Sequence, residues 1–257
     1  MAMLTTSPPG DRPSPGTRLR PPAIDPARDA LFLDIDGTLA PLAPRPEDVG
    51  PLARRTRLME RLAEQLNGRV AAVTGRTIAD ADRILDHSCA VVAGVHGLDI
   101  RCPDGATRTA EASRSLQEAL EKVRAFSASR PGLLIEDKGP GLTLHYRQTP
   151  EMGPEVVAFG RDLAASLGLK GQGGDMVYEV REAGGDKGLA VRTLMALDPF
   201  EGARPVFVGD DVTDEDGIRA AQAMGGYGVL VGGRAGSDAD YGLADVEAVL
   251  SWLETIR

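Results

Sequence analysis

The tightest constraint in this chain is the stretch Asp34-Ile35-Asp36-Gly37-Thr38, set directly after the apolar run Leu31-Phe32-Leu33. A short apolar run bounded by polar residues reads as a buried strand of a parallel sheet. Carboxylates leaving the end of such a strand, with a glycine to turn the chain, point at one small volume outside the carboxyl edge of the sheet. That edge is where open α/β sheets place their ligands. Two neighbouring acids repel unless a cation or a shared proton compensates. A hard cation such as Mg²⁺ suits all-oxygen ligands and keeps waters that a phosphate can replace. Asp34 and Asp36 are therefore candidates for one shared site.

Strand and helix alternate from there. Leu58, Leu62 and Leu66 recur at helical spacing before Gly68; residues 69–73 and 91–93 read as strands, with a helix over 77–86 between them. The pattern changes after residue 111. A helix over 112–129, strands at 133–135 and 142–146, a helix over 151–167 and a strand over 176–180 after a Gly-rich turn suggest a small α+β unit. After Gly184-Gly185 the alternation returns, with helices at 187–197 and 213–223, strands at 205–208 and 228–231, and a final helix carrying Val246, Val249, Leu250 and Leu253. The expected fold is α/β, a doubly wound parallel-sheet core over 29–111 and 184–257 interrupted by an α+β insert over 112–183. Residues 1–28 hold seven prolines among Ser, Thr and Arg, too little apolar surface to order themselves, and read as a mobile tail.

A second acidic run, Gly209-Asp210-Asp211-Val212-Thr213-Asp214-Glu215-Asp216, also follows an apolar strand. If the two strands are neighbours, Asp210 completes the metal site begun by Asp34. Thr213 with Asp216 resembles a helix N-cap, and acids suit a first helical turn, so Glu215 and Asp216 are assigned to capping. Asp211 and Asp214 are divided between the two readings and lean to function, so they join Asp34, Asp36 and Asp210 as candidate metal ligands. Thr74-Gly75-Arg76 closes a strand and opens a helix; a hydroxyl, backbone amides and a helix N-terminus together make a phosphate cradle. Lys187 opens a helix after Gly184-Gly185-Asp186. A cation there opposes the helix dipole, and a lysine held against a carboxylate and a phosphoryl group explains the position better.

Composition excludes some partners. The net charge of −9 argues against nucleic acid, which demands basic patches, but not against a small phosphorylated substrate, because a metal ion reverses the local charge of an acidic site. No apolar run is long enough to span a membrane, and the N-terminus lacks the basic start and apolar core of a secretory signal. Cys89 and Cys102 match no zinc spacing and read as free thiols of a cytoplasmic protein.

Aspartate, threonine, lysine, then an acidic pair, each at a strand end or helix start, resembles the haloacid dehalogenase superfamily of phosphotransferases, from about Ala30 to the C-terminus. The resemblance implies Asp34 as nucleophile, forming an aspartyl-phosphate, and Asp36 as acid and then base. It implies Mg²⁺ on Asp34, the Asp36 carbonyl and Asp210, and Thr74 and Lys187 around the phosphoryl group. The insert then resembles a cap that closes over the substrate and confers specificity. Gly94-Val95-His96-Gly97-Leu98-Asp99, Leu142-Thr143-Leu144-His145-Tyr146-Arg147, Val177-Tyr178-Glu179-Val180-Arg181 with Asp186-Lys187-Gly188, and Gly209 to Glu215 resemble motifs of trehalose-6-phosphate phosphatases. This implies a sugar phosphate as partner.

The chain departs from that pattern with Asp99 for Glu, Thr74 for Ser, and Glu182 for Pro. Candidate substrate contacts are Gly75, Arg76, His96, Glu136, Lys138, Arg147, Glu179 and Arg181, whereas His145 reads as structural. Rivals are a phosphatase of the same fold for sucrose phosphate or for glucosyl- or mannosyl-3-phosphoglycerate, a catalytically dead binding module, and a phospho-receiver signalling domain. A receiver is about half as long and has no use for Asp36, a built-in base two residues after the phosphorylated aspartate.

Overall fold

The computed structural model describes residues 18–43, 45–174 and 176–256. The chain opens with β1 (Asp29–Leu33), α1 (Ala53–Gln65), β2 (Val70–Val73), α2 (Ile78–Leu85), β3 (Val91–Gly94), β4 (Asp99–Arg101) and β5 (Thr107–Thr109). Then come α3 (Arg114–Ala128), β6 (Leu134–Asp137), β7 (Gly141–His145), α4 (Gly153–Leu167), β8 (Lys170–Gly174) and β9 (Val177–Arg181). It closes with α5 (Lys187–Met195), β10 (Arg204–Gly209), α6 (Asp214–Ala223), β11 (Tyr227–Val231), β12 (Tyr241–Leu243) and α7 (Val246–Leu253).

Two sheets form. The larger runs β12-β11-β10-β1-β2-β3-β4-β5, parallel from β12 to β3 and antiparallel at β3–β4 and β4–β5. Period-2 alternation divides its side chains between two cores. Leu31 and Leu33 of β1 pack with Leu58 and Leu62 of α1 and Leu250 of α7. Ala30 and Phe32 pack on the other face with Val191 and Leu194 of α5 and Ile218 of α6. Helices on both faces are what lets every strand of the middle be apolar throughout. The smaller sheet, β6-β7-β9-β8, is antiparallel and packs Leu142, Leu144, Tyr178 and Val180 against α3 and α4. Its other face carries Glu136, Thr143, Glu179 and Gln172 in one register row.

Three expectations change. The Gly-rich segment before β9 is itself a strand, β8, despite glycine's weak β-propensity. Pairing with β9 decides it, and a side chain at Gly171 would meet the Tyr178 hydroxyl at 2.5 Å. The pair β4–β5 extends the sheet antiparallel; its short, polar strands give no apolar run to read. Residues 18–28 do not behave as a tail. Ile24 is buried, Arg18 donates to the carbonyls of Ser237 and Ala239, and the Trp252 indole donates to the Pro22 carbonyl. Residues 1–17 lie outside the described residues. Among the described residues, no helix is long and apolar enough to cross a membrane.

Candidate active site

β1 lies between β10 and β2, so Asp34, Asp210 and Thr74 leave three adjacent strands at the same edge. Asp34 and Asp210 are brought together there with Asp214 from the start of α6. One oxygen of each lies within 4.8 Å of the others. Gly37 has φ +79°, and a side chain there would overlap the Asp210 carboxylate at 2.2 Å; glycine is required both for the turn and for the approach.

Lys187 supplies the positive charge. Its Nζ donates to Asp34 Oδ1 at 2.7 Å and to Asp214 Oδ1 at 2.6 Å, and it is 3% exposed. Burial alone would lower the lysine's pKa, but the charges of Asp214 and Asp34 and their hydrogen bonds override it and raise it. Burial pushes Asp34 well above the usual carboxylate range, with Lys187 opposing and Asp214 and Asp210 adding to the rise. Asp210 is raised to about 6 by burial and by Asp214. Three carboxylates sharing one lysine are short of positive charge, and their all-oxygen donor set fits Mg²⁺.

The acidic run is built differently from a capped helix. Thr213 makes no side-chain cap. Asp214 Oδ2 instead accepts the amides of Asp210 and Asp211 at 3.0 and 2.9 Å. Glu215 is buried, pairs with Arg234 and accepts the Asp238 amide, and Asp216 pairs with Arg219. The assignment of Glu215 and Asp216 to capping is therefore corrected: Glu215 pairs across a loop with Arg234, and Asp216 pairs within α6 with Arg219. The Asp211 side chain is exposed and lies outside the group formed by Asp34, Asp210 and Asp214.

Asp36, a predicted metal ligand, lies outside the group formed by Asp34, Asp210 and Asp214. Arg76 grips it with two prongs, Nε to Oδ2 at 2.6 Å and Nη2 to Oδ1 at 2.7 Å. The Thr74 hydroxyl accepts the Arg76 amide at 3.2 Å, fixing the turn into α2. The smaller sheet meets this turn directly. Lys138 Nζ reaches the Gly75 carbonyl at 3.4 Å and stands 3.9 Å from both Glu136 and Glu179. His96 lies over Gly75, where a side chain would touch its ring at 2.7 Å, and its Nε2 is 3.1 Å from Glu179. Burial lowers the His96 pKa, against the hydrogen bond and charge of Glu179, which raise it. Burial opposes ionisation of Glu179, but His96, Lys138 and Arg181 hold its pKa below the usual range.

His145 pairs with Glu136 at 3.0 Å. Arg181 is buried and donates to the Gly185 carbonyl, bracing the return to the larger sheet. Asp99 accepts from Thr109 at 2.6 Å, tying β4 to β5. A cleft of about 620 Å³ runs between the two sheets past Arg76, Arg83, Glu136, His145 and Arg147.

Two participants carry no assigned role in the sequence reading. Thr38 is buried with its hydroxyl 3.4 Å from Asp210; its place in the first motif was the available signal. Arg234 gives no such signal.

A carboxylate buried against a lysine, an adjacent acidic group at the carboxyl edge of a doubly wound sheet, and a second sheet over that edge fit a phosphoric monoester hydrolase of the haloacid dehalogenase type. A solved haloacid dehalogenase-like hydrolase from Bacteroides thetaiotaomicron shares this fold, with a TM-score of 0.65 over 90% of this chain and 100% of its own, at 15% identity. The sequence profile described as trehalose-phosphatase matches residues 32–246, and the chain belongs to that family. It is 36% identical over 211 residues to a probable trehalose-phosphate phosphatase of Sinorhizobium fredii, covering 79% of this chain and 77% of the relative. It is 33% identical over 234 residues to the trehalose-6-phosphate phosphatase of Escherichia coli, covering 90% and 87%. A crystal structure of a trehalose-6-phosphate phosphatase related protein superposes with a TM-score of 0.72 at 26% identity, over 88% of this chain and 96% of that one.

Proposed function

We propose that this enzyme hydrolyses trehalose 6-phosphate to trehalose and phosphate, with Asp34 as nucleophile. The observation that carries the chemistry is the buried Lys187 shared between Asp34 and Asp214, with Asp210 in the same group. An Asp34 oxygen attacks phosphorus, an aspartyl-phosphate forms, and the bond to the sugar oxygen breaks. Asp36, protonated from solvent once Arg76 lets go of it, gives that proton to the departing alkoxide, then takes one from the water that attacks the phosphoryl group, releasing phosphate and Asp34. Arg76 holds Asp36 oriented in the free enzyme and turns to the substrate anion as the acid is released. Lys187 offsets charge as it builds on the phosphoryl oxygens, and the Thr74 hydroxyl and the Gly75 amide orient them.

Asp214 spends its oxygens on Lys187 and on two amides, which leaves the Asp34 and Asp210 carboxylates open to Mg²⁺, joined by the Asp36 carbonyl. Bound there, the ion would neutralise phosphate charge. Residues 112–183 act as the cap, with Glu136, Lys138 and Glu179 meeting sugar hydroxyls. A cytoplasmic setting goes with this reading, since Cys89 and Cys102 are both free thiols.

Phosphate release measured with Mg²⁺ on trehalose 6-phosphate, sucrose 6-phosphate, glucose 6-phosphate and glucosyl-3-phosphoglycerate tests this. Preference for the first, abolished by EDTA, is expected. Preference for another ester would leave Asp34 and Asp36 in place and overturn the reading of the cap.

A further inference from the structure

The turn that delivers Asp210 is held from two sides. Its amides at residues 210 and 211 both point to Asp214 Oδ2. Its carbonyls at the same two residues both accept from one side chain, Arg234, through Nε at 3.3 Å and Nη2 at 3.3 Å. The same guanidinium pairs with Glu215, whose other oxygen accepts the Asp238 amide at 2.9 Å. Glu215 is 5% exposed, and the paired charges cancel. Among the described residues, the Asp210 side chain makes one hydrogen bond, a long one from Thr38 at 3.4 Å, so the position of its carboxylate is set mainly by its backbone and by the close approach of Gly37.

We propose that Arg234 is a positioning residue for the metal site: its fork fixes the carbonyls of Asp210 and Asp211 and thereby the reach of the Asp210 carboxylate toward Asp34. The inference rests on the assignment of Mg²⁺ to Asp34 and Asp210. Mg²⁺ tolerates little departure from octahedral geometry, and outer groups that orient its ligands commonly change affinity tenfold or more when removed. A lysine at 234 keeps the charge beside Glu215 but has no planar fork to span two carbonyls. The clamp extends further, because Arg18 holds the carbonyls of Ser237 and Ala239 in the same loop.

The test is Arg234→Lys, titrated with Mg²⁺ by calorimetry in the absence of substrate, beside thermal unfolding in EDTA and steady-state kinetics on trehalose 6-phosphate. The expected result is a Kd for Mg²⁺ raised about tenfold, with KM for the ester within about twofold of wild type once Mg²⁺ saturates. Glu215→Gln, which keeps the hydrogen-bonding shape but weakens the anchor, is expected to raise Kd in the same direction by less, and it serves if the lysine variant fails to fold. An unchanged Kd in the folded variants, whatever the unfolding temperature does, overturns the proposal. A wild-type enzyme that binds no Mg²⁺ would instead sink the metal assignment beneath it.

Discussion

Replacing Lys187 by methionine keeps most of the side-chain volume and removes the charge. In the wild-type site three aspartates face one lysine, leaving two negative charges uncompensated when all are ionised. The variant raises this to three, in a place where Lys187 is 3% exposed and Asp214 is fully buried. Removing one partner of a buried ion pair costs roughly 3–5 kcal/mol. For a chain of this size each kcal/mol moves the unfolding midpoint by about 2–4 °C, so Lys187→Met should unfold about 6–20 °C below wild type in EDTA at neutral pH. Mg²⁺ should recover part of that loss, because it returns positive charge to the same carboxylates. Lowering the pH should recover part as well, by protonating them. Scanning calorimetry of both proteins, with EDTA and with Mg²⁺, reads the shift directly. Phosphate release should fall by about 10² or more, as when a group aimed at developing charge is removed. A variant that melts with wild type in EDTA would refute the account of Lys187 as the compensating charge, even if it were inactive.

Two further outcomes follow from the same geometry. Asp210 has a folded-state pKa raised to about 6 against about 3.9 unfolded; the native state binds the proton more tightly, so this group's contribution to stability is greatest below the unfolded value and declines as pH rises to about 6. Unfolding midpoints in EDTA should show that decline, and saturating Mg²⁺ should flatten it. Away from the site, Asp29 is fully buried and accepts both Nε and Nη2 of Arg204 at 2.7 and 3.1 Å; Arg204 is partly exposed and can turn to water, so Asp29→Ala should cost roughly 1–3 kcal/mol in denaturant titrations while leaving kcat of the folded fraction unchanged.

The elements of the larger sheet are legible because buried parallel strands are written as apolar runs, and Asp34, Thr74, Lys187 and Asp210 are legible because each stands where a strand ends or a helix begins. What they touch is less so. Arg234 lies 24 residues beyond Asp210 in a Gly-rich stretch, and no local pattern links a guanidinium to carbonyls across a loop. The Asp36–Arg76 pair joins residues 40 apart, through neighbouring strands that local spacing alone does not register. Composition misleads at residues 18–28, where prolines suggest disorder but a few long-range anchors suffice. It misleads also at β8, where Gly171 makes room for Tyr178 rather than a turn. Thr213 has the residue type of a cap, yet its backbone is already helical and the Glu215 amide goes to the Val212 carbonyl.

The placement of β1 bears on how the molecule comes into being. Its neighbour β10 pairs Asp29 with Arg204, and Asp34 meets its lysine 153 residues later in the chain. Contacts of such sequence separation form late and slow folding. During synthesis the strand leading to Asp34 therefore waits, with one edge unpaired, until the whole intervening sheet and β10 have emerged. Nascent chains ending before β10 would carry Asp34, but neither the second partner of its strand nor the acidic run beyond it, so a complete site arrives only with the last quarter of the polypeptide.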